Sequence, residues 1–140
     1  MKLSTRSRYG TRMMLEIAKH YKQGPIQLGN IAKHQGISVK YLEQIIIPLK
    51  HAKYVKSVRG AKGGHLLAKA PENITIGEIV ALLEGGSTVV ACSDDPGSCH
   101  HADGCVVRTL WREAAVAMYK KLNSVTLSEL VRRDRKVNSA

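Results

Sequence analysis

The feature that most constrains this chain is a pair of short amphipathic segments separated by a glycine. Apolar residues at helical spacing predict a short helix over residues 28–35. Gly36 interrupts that pattern, and Ser38 is a natural N-cap for a further helix through residue 50. Two such helices joined by a tight turn are typical of a helix-turn-helix unit. The inward-facing positions predicted for the second helix are Leu42, Ile45, Ile46 and Leu49.

A basic, glycine-rich hairpin is predicted directly after these helices. Strand-like runs at residues 54–58 and 65–68 flank the sequence RGAKGG at 59–64, whose glycines allow an extended turn. The order helix, short helix, turn, helix and basic hairpin is that of a winged helix-turn-helix. The predicted fold class is therefore mainly α with a small β-hairpin wing, extended by a long C-terminal helix.

Pro48 lies inside the second helix of this unit, ten positions after its N-cap. Proline has no backbone N–H and its ring clashes with the carbonyl four residues earlier. We therefore expect a kink or an early end of the helix at this residue.

Capping signals and apolar spacing predict the remaining elements. Thr75 with Glu78 and Thr126 with Glu129 both fit the capping-box pattern, in which two side chains satisfy each other's helix-terminal N–H groups. The charged tail at 132–140 is expected to be frayed. The other expected segments are helices over 4–22, from Thr75 to Gly85-Gly86, over 105–122 and from Thr126, with a polar loop at 91–104.

The helix-turn-helix pattern points to DNA. The second helix of such a unit presents its N-terminal side chains to base edges in the major groove, and a wing contacts phosphates or the minor groove. Glu43 has the wrong charge for phosphate, so it would accept from cytosine, repel incorrect sequences or pair with a nearby lysine. The alternative is that Lys40 and Gln44 only form a solvated helix face. The candidate DNA-contacting residues are Ser38, Lys40, Tyr41, Glu43, Gln44, Arg59 and Lys62.

The charge balance supports a polyanionic partner. The chain has 22 Lys and Arg residues against 11 Asp and Glu, a formal net charge of +11. Each phosphate that such a protein neutralises releases condensed counterions, which favours nucleic acid. The alternative is a basic surface that only aids solubility. A membrane surface would require a basic amphipathic helix with apolar anchors, and the single tryptophan, Trp111, lies far from the most basic stretch.

Three cysteines, Cys92, Cys99 and Cys105, lie in one 14-residue window with the spacing C-x6-C-x5-C. An odd count without an export signal argues against a disulfide framework. Thiolates select iron–sulfur clusters and zinc, and the polar flanks of the first two cysteines suit ligands better than core residues. The spacing differs from the tight pairs of a zinc ribbon, which favours a cluster. A reactive thiol and plain structural cysteines are the alternatives.

Histidines follow the second cysteine directly. His100 or His101 would complete a ligand set of three cysteines and one histidine. For each histidine taken separately, an exposed loop residue without a ligand role is the simpler interpretation. No catalytic motif is present, so neither an enzyme nor a small-molecule substrate is expected. The sequence has no apolar run long enough for a transmembrane helix and no export signal, so a cytoplasmic protein without a membrane partner is expected.

The chain resembles the Rrf-two family of bacterial winged-helix regulators, which includes the IscR, NsrR and RirA types. The resemblance covers nearly the whole chain. It rests on LGNIAKHQGISVKYLEQI (28–45), on SVRGAKGGHLLAKAPENITIGEIVALLEG (57–85), and on the cysteine loop followed by Leu110 and Trp111.

This resemblance implies a homodimer built on the helix from Cys105, which binds an imperfect palindrome in promoter DNA. It also implies an iron–sulfur cluster on Cys92, Cys99 and Cys105 whose state controls DNA binding. The IscR type takes a fourth ligand from a histidine where this chain has Arg108, and the NsrR type from an acidic residue where it has Arg8. Neither solution carries over. The remaining candidates are His100, His101, Asp103, a partner-chain residue or an exogenous ligand.

Three hypotheses follow for the function. The first is a dimeric transcription regulator, most simply a repressor, that senses iron, redox state or nitric oxide through a [2Fe–2S] or [4Fe–4S] cluster. The second keeps DNA binding but replaces the cluster by a zinc or thiol switch, and the third is a basic RNA-binding accessory protein. The expected organisation is a DNA-binding domain over 1–85, a cluster-binding loop over 86–104, and a dimerisation helix with a C-terminal helix over 105–140.

Overall fold

A computed structural model describes residues 2–86 and 104–138, which are mainly helical with a two-stranded β-hairpin. The mainly α class with a small hairpin, predicted from sequence, is confirmed. A 3-10 turn at Pro71–Asn73 precedes the fourth helix. The elements are α1 (Thr5–Lys19), α2 (Leu28–Gln35), α3 (Val39–His51), β1 (Val55–Val58), β2 (Gly64–Leu67), α4 (Ile76–Glu84), α5 (Val106–Asn123) and α6 (Leu127–Asn138).

Side-chain caps begin the helices where the sequence predicted them. The Ser38 hydroxyl accepts from the backbone N–H of Tyr41 at the start of α3. At the start of α4, both reciprocal hydrogen bonds of the Thr75–Glu78 capping box are present. The second predicted box is only half formed, because the Glu129 carboxylate contacts two arginines of its own helix while its N–H donates to Thr126.

The predicted early end at Pro48 is wrong, because α3 continues to His51. Pro48 lies in the last turn of the helix, and the N–H of Ala52 donates to the Pro48 carbonyl at 3.0 Å. The missing proline N–H deprives only the carbonyl of Gln44, an exposed residue, of its helical partner. Water can satisfy that carbonyl at little cost, so the helix tolerates the proline.

The predicted fraying of the tail is also wrong, since α6 extends to Asn138. The helix is stabilised from outside its own sequence, because Asp134 accepts from the Lys19 ammonium on α1 at 2.8 Å. Asp134 also accepts from Asn138 one turn later. A pairing between the two ends of the chain cannot be read from the tail alone.

The core lies between α1, α3 and α4, with the wing strand β2 and the C-terminal helices packed on it. Met13, Met14 and Ile17 of α1 form its centre and are at most 1% exposed. Residues of α5 and α6, including Tyr119 and Leu127, belong to the same core. The C-terminal helices therefore pack on the helix-turn-helix unit rather than forming a core of their own.

The N-terminal half of α5 leaves the core. Its apolar side chains Val106, Leu110 and Trp111 are exposed, while Met118 and Leu122 near its other end pack against the core. The described part of α5 therefore carries a cluster of exposed apolar side chains. None of the described helices combines the length and the apolarity that crossing a membrane requires.

Candidate nucleic-acid interface

The outward face of α3 carries the polar side chains that the sequence singled out. Ser38, Lys40, Glu43 and Gln44 are exposed, and the buried stripe of the same helix holds them in a fixed orientation against the core. Their donors and acceptors are therefore available to a ligand along one face of the helix. Glu43 makes no ion pair within residues 2–86 and 104–138. The structure therefore does not support the alternative in which Glu43 pairs with a nearby lysine.

Tyr41 differs from these residues because it is half-buried. Its ring meets the ring of Tyr9 on α1 edge to face, with centroids 5.9 Å apart and an interplanar angle of 89°. This geometry is the favourable one for an aromatic pair. The contact fixes the first turn of α3 against α1, so Tyr41 has a packing role beside any contact with a ligand.

Two arginines beside this aromatic pair were missed by the sequence reasoning. The guanidinium carbons of Arg8 and Arg12 lie 6.0 and 5.9 Å from the Tyr9 ring centroid, within range of a cation–π contact. Because Tyr9 touches Tyr41, both cations extend the basic surface beside the first turn of α3. The four-residue spacing of Arg8 and Arg12 places both on one helix face, and this spacing is visible in the sequence.

The wing presents Arg59 and Lys62 at its tip, and both side chains are exposed. Gly63 makes this turn possible, because a Cβ atom there would lie 2.1 Å from the carbonyl oxygen of Val58. The strands pair antiparallel, from Val55 opposite Leu67 to Val58 opposite Gly64. The tightly closed hairpin thus places the two basic residues at its tip.

Backbone hydrogen bonds fasten the wing to the helix-turn-helix. Ile26, just before α2, donates to the carbonyl of His65 at 2.9 Å and accepts from the His65 N–H at 2.8 Å. The Gln27 side chain also donates to the carbonyl of Ala61 in the wing. Because α2 packs on α3, the wing and the exposed face of α3 form one continuous surface.

A groove runs between α3 and the wing. Its lining includes Glu43 and Lys50 of α3 and His65 of β2. Burial, and to a smaller degree the Lys50 ammonium, lowers the pKa of His65 below its usual value. Within the described ranges, the buried Nδ1 atom of His65 has no hydrogen-bond partner.

Of the predicted metal ligands, the structure describes Cys105. It is half-buried and caps α5, where its sulfur accepts from the backbone N–H of Arg108 at 3.4 Å. The start of a helix favours negative charge, so a thiolate ligand fits this position. The other candidate ligands, Cys92, Cys99, His100, His101 and Asp103, lie outside the described residues. The described part by itself contains no group of three metal-ligating side chains.

The end of α4, from which the chain leads toward the cysteine segment, is bonded to α1. Glu84 accepts from the Ser4 N–H at 2.8 Å and from the Ser7 hydroxyl at 2.6 Å. Two residues later, the carbonyl of Gly86 accepts from the Tyr119 hydroxyl of α5. These bonds connect the described start of that segment to α1 and α5.

Comparisons with known proteins agree on one family. A family model described as "Rrf2: Iron-dependent Transcriptional regulator" matches residues 3–133. The chain is 49% identical over 132 residues to protein rrf2 of Nitratidesulfovibrio vulgaris (strain Hildenborough). The aligned region covers 94% of this chain and 88% of that protein.

Two solved structures have closely similar folds. The IscR structure from T. potens has a TM-score of 0.83 at 36% identity and covers 100% of this chain and 93% of that one. The structure of CymR, the global cysteine regulator of B. subtilis, has a TM-score of 0.81 at 38% identity. It covers 95% of this chain and 98% of that one. The described chain thus has the winged-helix fold of these regulators.

Proposed function

This chain belongs to the Rrf2 family of transcriptional regulators, and from that premise we propose that it binds an imperfect palindrome in promoter DNA as a homodimer and represses transcription. It is a transcription regulator and not an enzyme. Its place of action is the bacterial cytoplasm, where promoter DNA is found. Residues 1–85 would bind DNA, 86–104 would hold a cluster, and 105–140 would supply dimerisation and the C-terminal helix.

The observation that carries the DNA-binding proposal is the continuity of α3 with the wing. Lys40 and Gln44 on α3 would face base edges in the major groove, while Arg59 and Lys62 on the wing would reach phosphates or the adjacent minor groove. The backbone pairing of Ile26 with His65 keeps these two parts in a fixed relation. Family membership favours this DNA-binding function over the RNA-binding alternative.

The apolar face of α5 supports a dimer. Val106 is 80% exposed and Leu110 is 52% exposed, on a helix that packs on the core only near its other end. A second copy of the same helix would cover these side chains. It would also set two copies of α3 at the separation of successive major grooves, about 34 Å.

Cys92, Cys99 and Cys105 would hold the iron–sulfur cluster, with His100, His101, Asp103, a partner-chain residue or an exogenous molecule as the fourth ligand. Cys105 supports this, because its sulfur already accepts an N–H at a helix start. When bound, a cluster would supply an iron centre whose oxidation or loss reports iron, redox state or nitric oxide. The segment that carries these residues joins α4 to α5, so its state would bias the arrangement of the two DNA-binding units.

A second candidate retains DNA binding but places a zinc or thiol switch at the cysteines. It is favoured by the structural similarity to CymR, a cysteine regulator, which is nearly as close as the similarity to IscR. The two candidates share every DNA-contacting residue and differ only at the cysteines.

Selection of duplexes from a random pool by the purified chain tests the DNA-binding function. We expect recovery of a palindromic consensus that the protein binds at least about 1,000-fold more tightly than random duplex. Lys40→Ala and Arg59→Ala should weaken that binding, whereas Lys120→Ala on α5 should not. Recovery of random sequences, or equal binding of all variants, would contradict the proposal.

Anaerobic purification with an absorption spectrum and iron and sulfide counts separates the two switches. A brown protein with two or four iron and sulfide ions per chain supports the cluster and identifies its type. The His100→Ala/His101→Ala double variant then tests the loop histidines through the same spectrum. A colourless protein with one zinc per chain, unchanged after reconstitution, would replace the cluster by the second candidate.

A further inference from the structure

Two large apolar side chains are exposed on the face of α3 that carries the polar candidates. Val39 is 41% exposed and Ile47 is 52% exposed. The buried stripe of α3 leaves both outside the core, and neither continues the apolar face of α5. Single exposed apolar residues are ordinary on a protein surface, so only the surroundings of these two can give them a role.

The surroundings of Val39 and Ile47 are those of the proposed DNA site. Each lies one helical turn from Glu43, so the three form a row at four-residue spacing. All three line the groove between α3 and the wing. Lys50 lines the same groove, and Arg59 and Lys62 are exposed in the wing turn whose Gly60 and Gly63 also line it.

Charge selects the occupant of this row. The flanking side chains are cationic and the chain carries a net charge of +11, so the surface is matched to a polyanion and not to an apolar protein. The major groove of DNA presents an apolar group at one kind of base, the 5-methyl group of thymine. Glu43 between the two apolar residues can accept from the amino group of cytosine.

We propose that Val39 and Ile47 are specificity-determining residues that contact thymine 5-methyl groups on either side of the base pair facing Glu43. The proposal rests on the DNA-binding function above and names the bases that it selects. Along the helix axis the two residues are about 12 Å apart, at a rise of roughly 1.5 Å per residue. With a base-pair rise of about 3.4 Å, the two thymines are expected about three to four base pairs apart.

The test uses the full chain and the duplex that it selects from a random pool. Each thymine of one half-site is replaced in turn by uracil, which removes only the methyl group. We expect two replacements per half-site, one for each apolar residue, to weaken binding about threefold to fivefold each, as for the loss of one buried methyl. The remaining replacements should have no effect.

Methyl-free variants assign each thymine methyl to its side chain. Val39→Ser and Ile47→Ser remove every side-chain methyl group at exposed positions, so thermal unfolding should show that both still fold. Each should bind thymine and uracil equally at one position and retain the difference at the other. The matched control is Val137→Ser, at a valine of α6 that is 74% exposed, which should retain both differences.

Two outcomes would overturn this inference while DNA binding stands. One is a selected duplex in which no thymine methyl affects affinity, and the other is a methyl dependence that persists in the Val39→Ser/Ile47→Ser double variant. If the chain selects no sequence at all, the proposed function itself fails, and the inference fails with it.

Discussion

At the scale of the single residue, the buried carboxylate of Glu16 accounts for much of the order around α1. The side chain is only 5% exposed, and it accepts from the Lys19 ammonium, from His34 and from Gln35 at 3.2, 3.0 and 2.7 Å. Burial opposes the charged form, but these hydrogen bonds and charges outweigh it, and the pKa of Glu16 lies below its usual value of 4.5. One carboxylate thus ties α1 to the end of α2.

Glu16→Gln is therefore expected to lower the free energy of unfolding by about 1–3 kcal/mol at pH 7. A carboxylate whose pKa is lower in the folded than in the unfolded state stabilises the fold at pH values above its unfolded-state pKa. This stabilisation is lost as the pH falls through the folded-state pKa. The difference from the native protein should therefore shrink below about pH 4. Urea titrations from pH 3 to 7 measure it, with the exposed Glu72→Gln as control. A difference that stays constant with pH would contradict this assignment.

Lys53 adopts a backbone conformation that glycine prefers. Its φ is 65°, in the turn where its N–H donates to Lys50 at the end of α3. A Cβ atom is disfavoured in the left-handed region, so Lys53→Gly should raise the free energy of unfolding by about 0.5–1 kcal/mol. Lys53→Ala retains a Cβ atom and should give no such gain. Equal stability of the two variants by urea denaturation would show that the turn carries no strain.

At the scale of the element, a small cluster holds the first turn of α1 on the end of α4. Ser7 is 1% exposed and donates to Glu84, while its N–H donates to the hydroxyl of Ser4. The same turn leads into Tyr9, whose ring contacts Tyr41 on α3. The end of α4 and the start of α3 are thus both fixed through α1.

Removing the buried hydroxyl tests this element. Ser7→Ala leaves Glu84 with a single donor from α1, and we expect a loss of about 1–2 kcal/mol of stability. Amide hydrogen exchange in the first two turns of α1 should become faster, because their anchor on α4 is weakened. Thr5→Ala, at an exposed residue of the same turn, should change stability by less than about 0.5 kcal/mol. Unchanged exchange in Ser7→Ala would mean that the cluster does not anchor α1.

The elements that the sequence predicted well are those determined by neighbouring residues. Apolar spacing located α2 and α3, and the hydroxyl caps Ser38 and Thr75 marked helix starts. The wrong predictions depended on information from elsewhere. The cost of Pro48 depends on the exposure of Gln44, and the length of α6 depends on the pair between Lys19 and Asp134.

The candidate site shows the same limit. The polar residues of α3 and the basic wing tip were predictable, because a helix face and a hairpin tip follow from local pattern. The approach of Arg8 and Arg12 to the start of α3 was not, because it depends on the packing of Tyr9 against Tyr41. The cysteine ligand set and the dimer stay predictions, which only Cys105 and the exposed face of α5 support here.

At the scale of the whole molecule, the exposed apolar face of α5 should decide whether two DNA-binding units act together. Leu110→Lys places a charge on that face and should convert the dimer to a monomer in sedimentation experiments. Because a monomer engages one half-site, affinity for the palindrome should fall by roughly 100-fold. Val137→Lys on α6 adds the same charge at another exposed valine and should leave both properties unchanged. A Leu110→Lys dimer with native affinity would place the interface elsewhere.

We propose above that a dimer inserts two copies of α3 into successive major grooves. The effect of half-site spacing on affinity tests this claim most directly. Five base pairs inserted between the half-sites of the selected palindrome rotate them about half a turn apart on the duplex. A mobility-shift titration should then show at least about a 100-fold loss of affinity, whereas ten inserted base pairs should restore part of it. Equal affinity for all three spacings would contradict the claim.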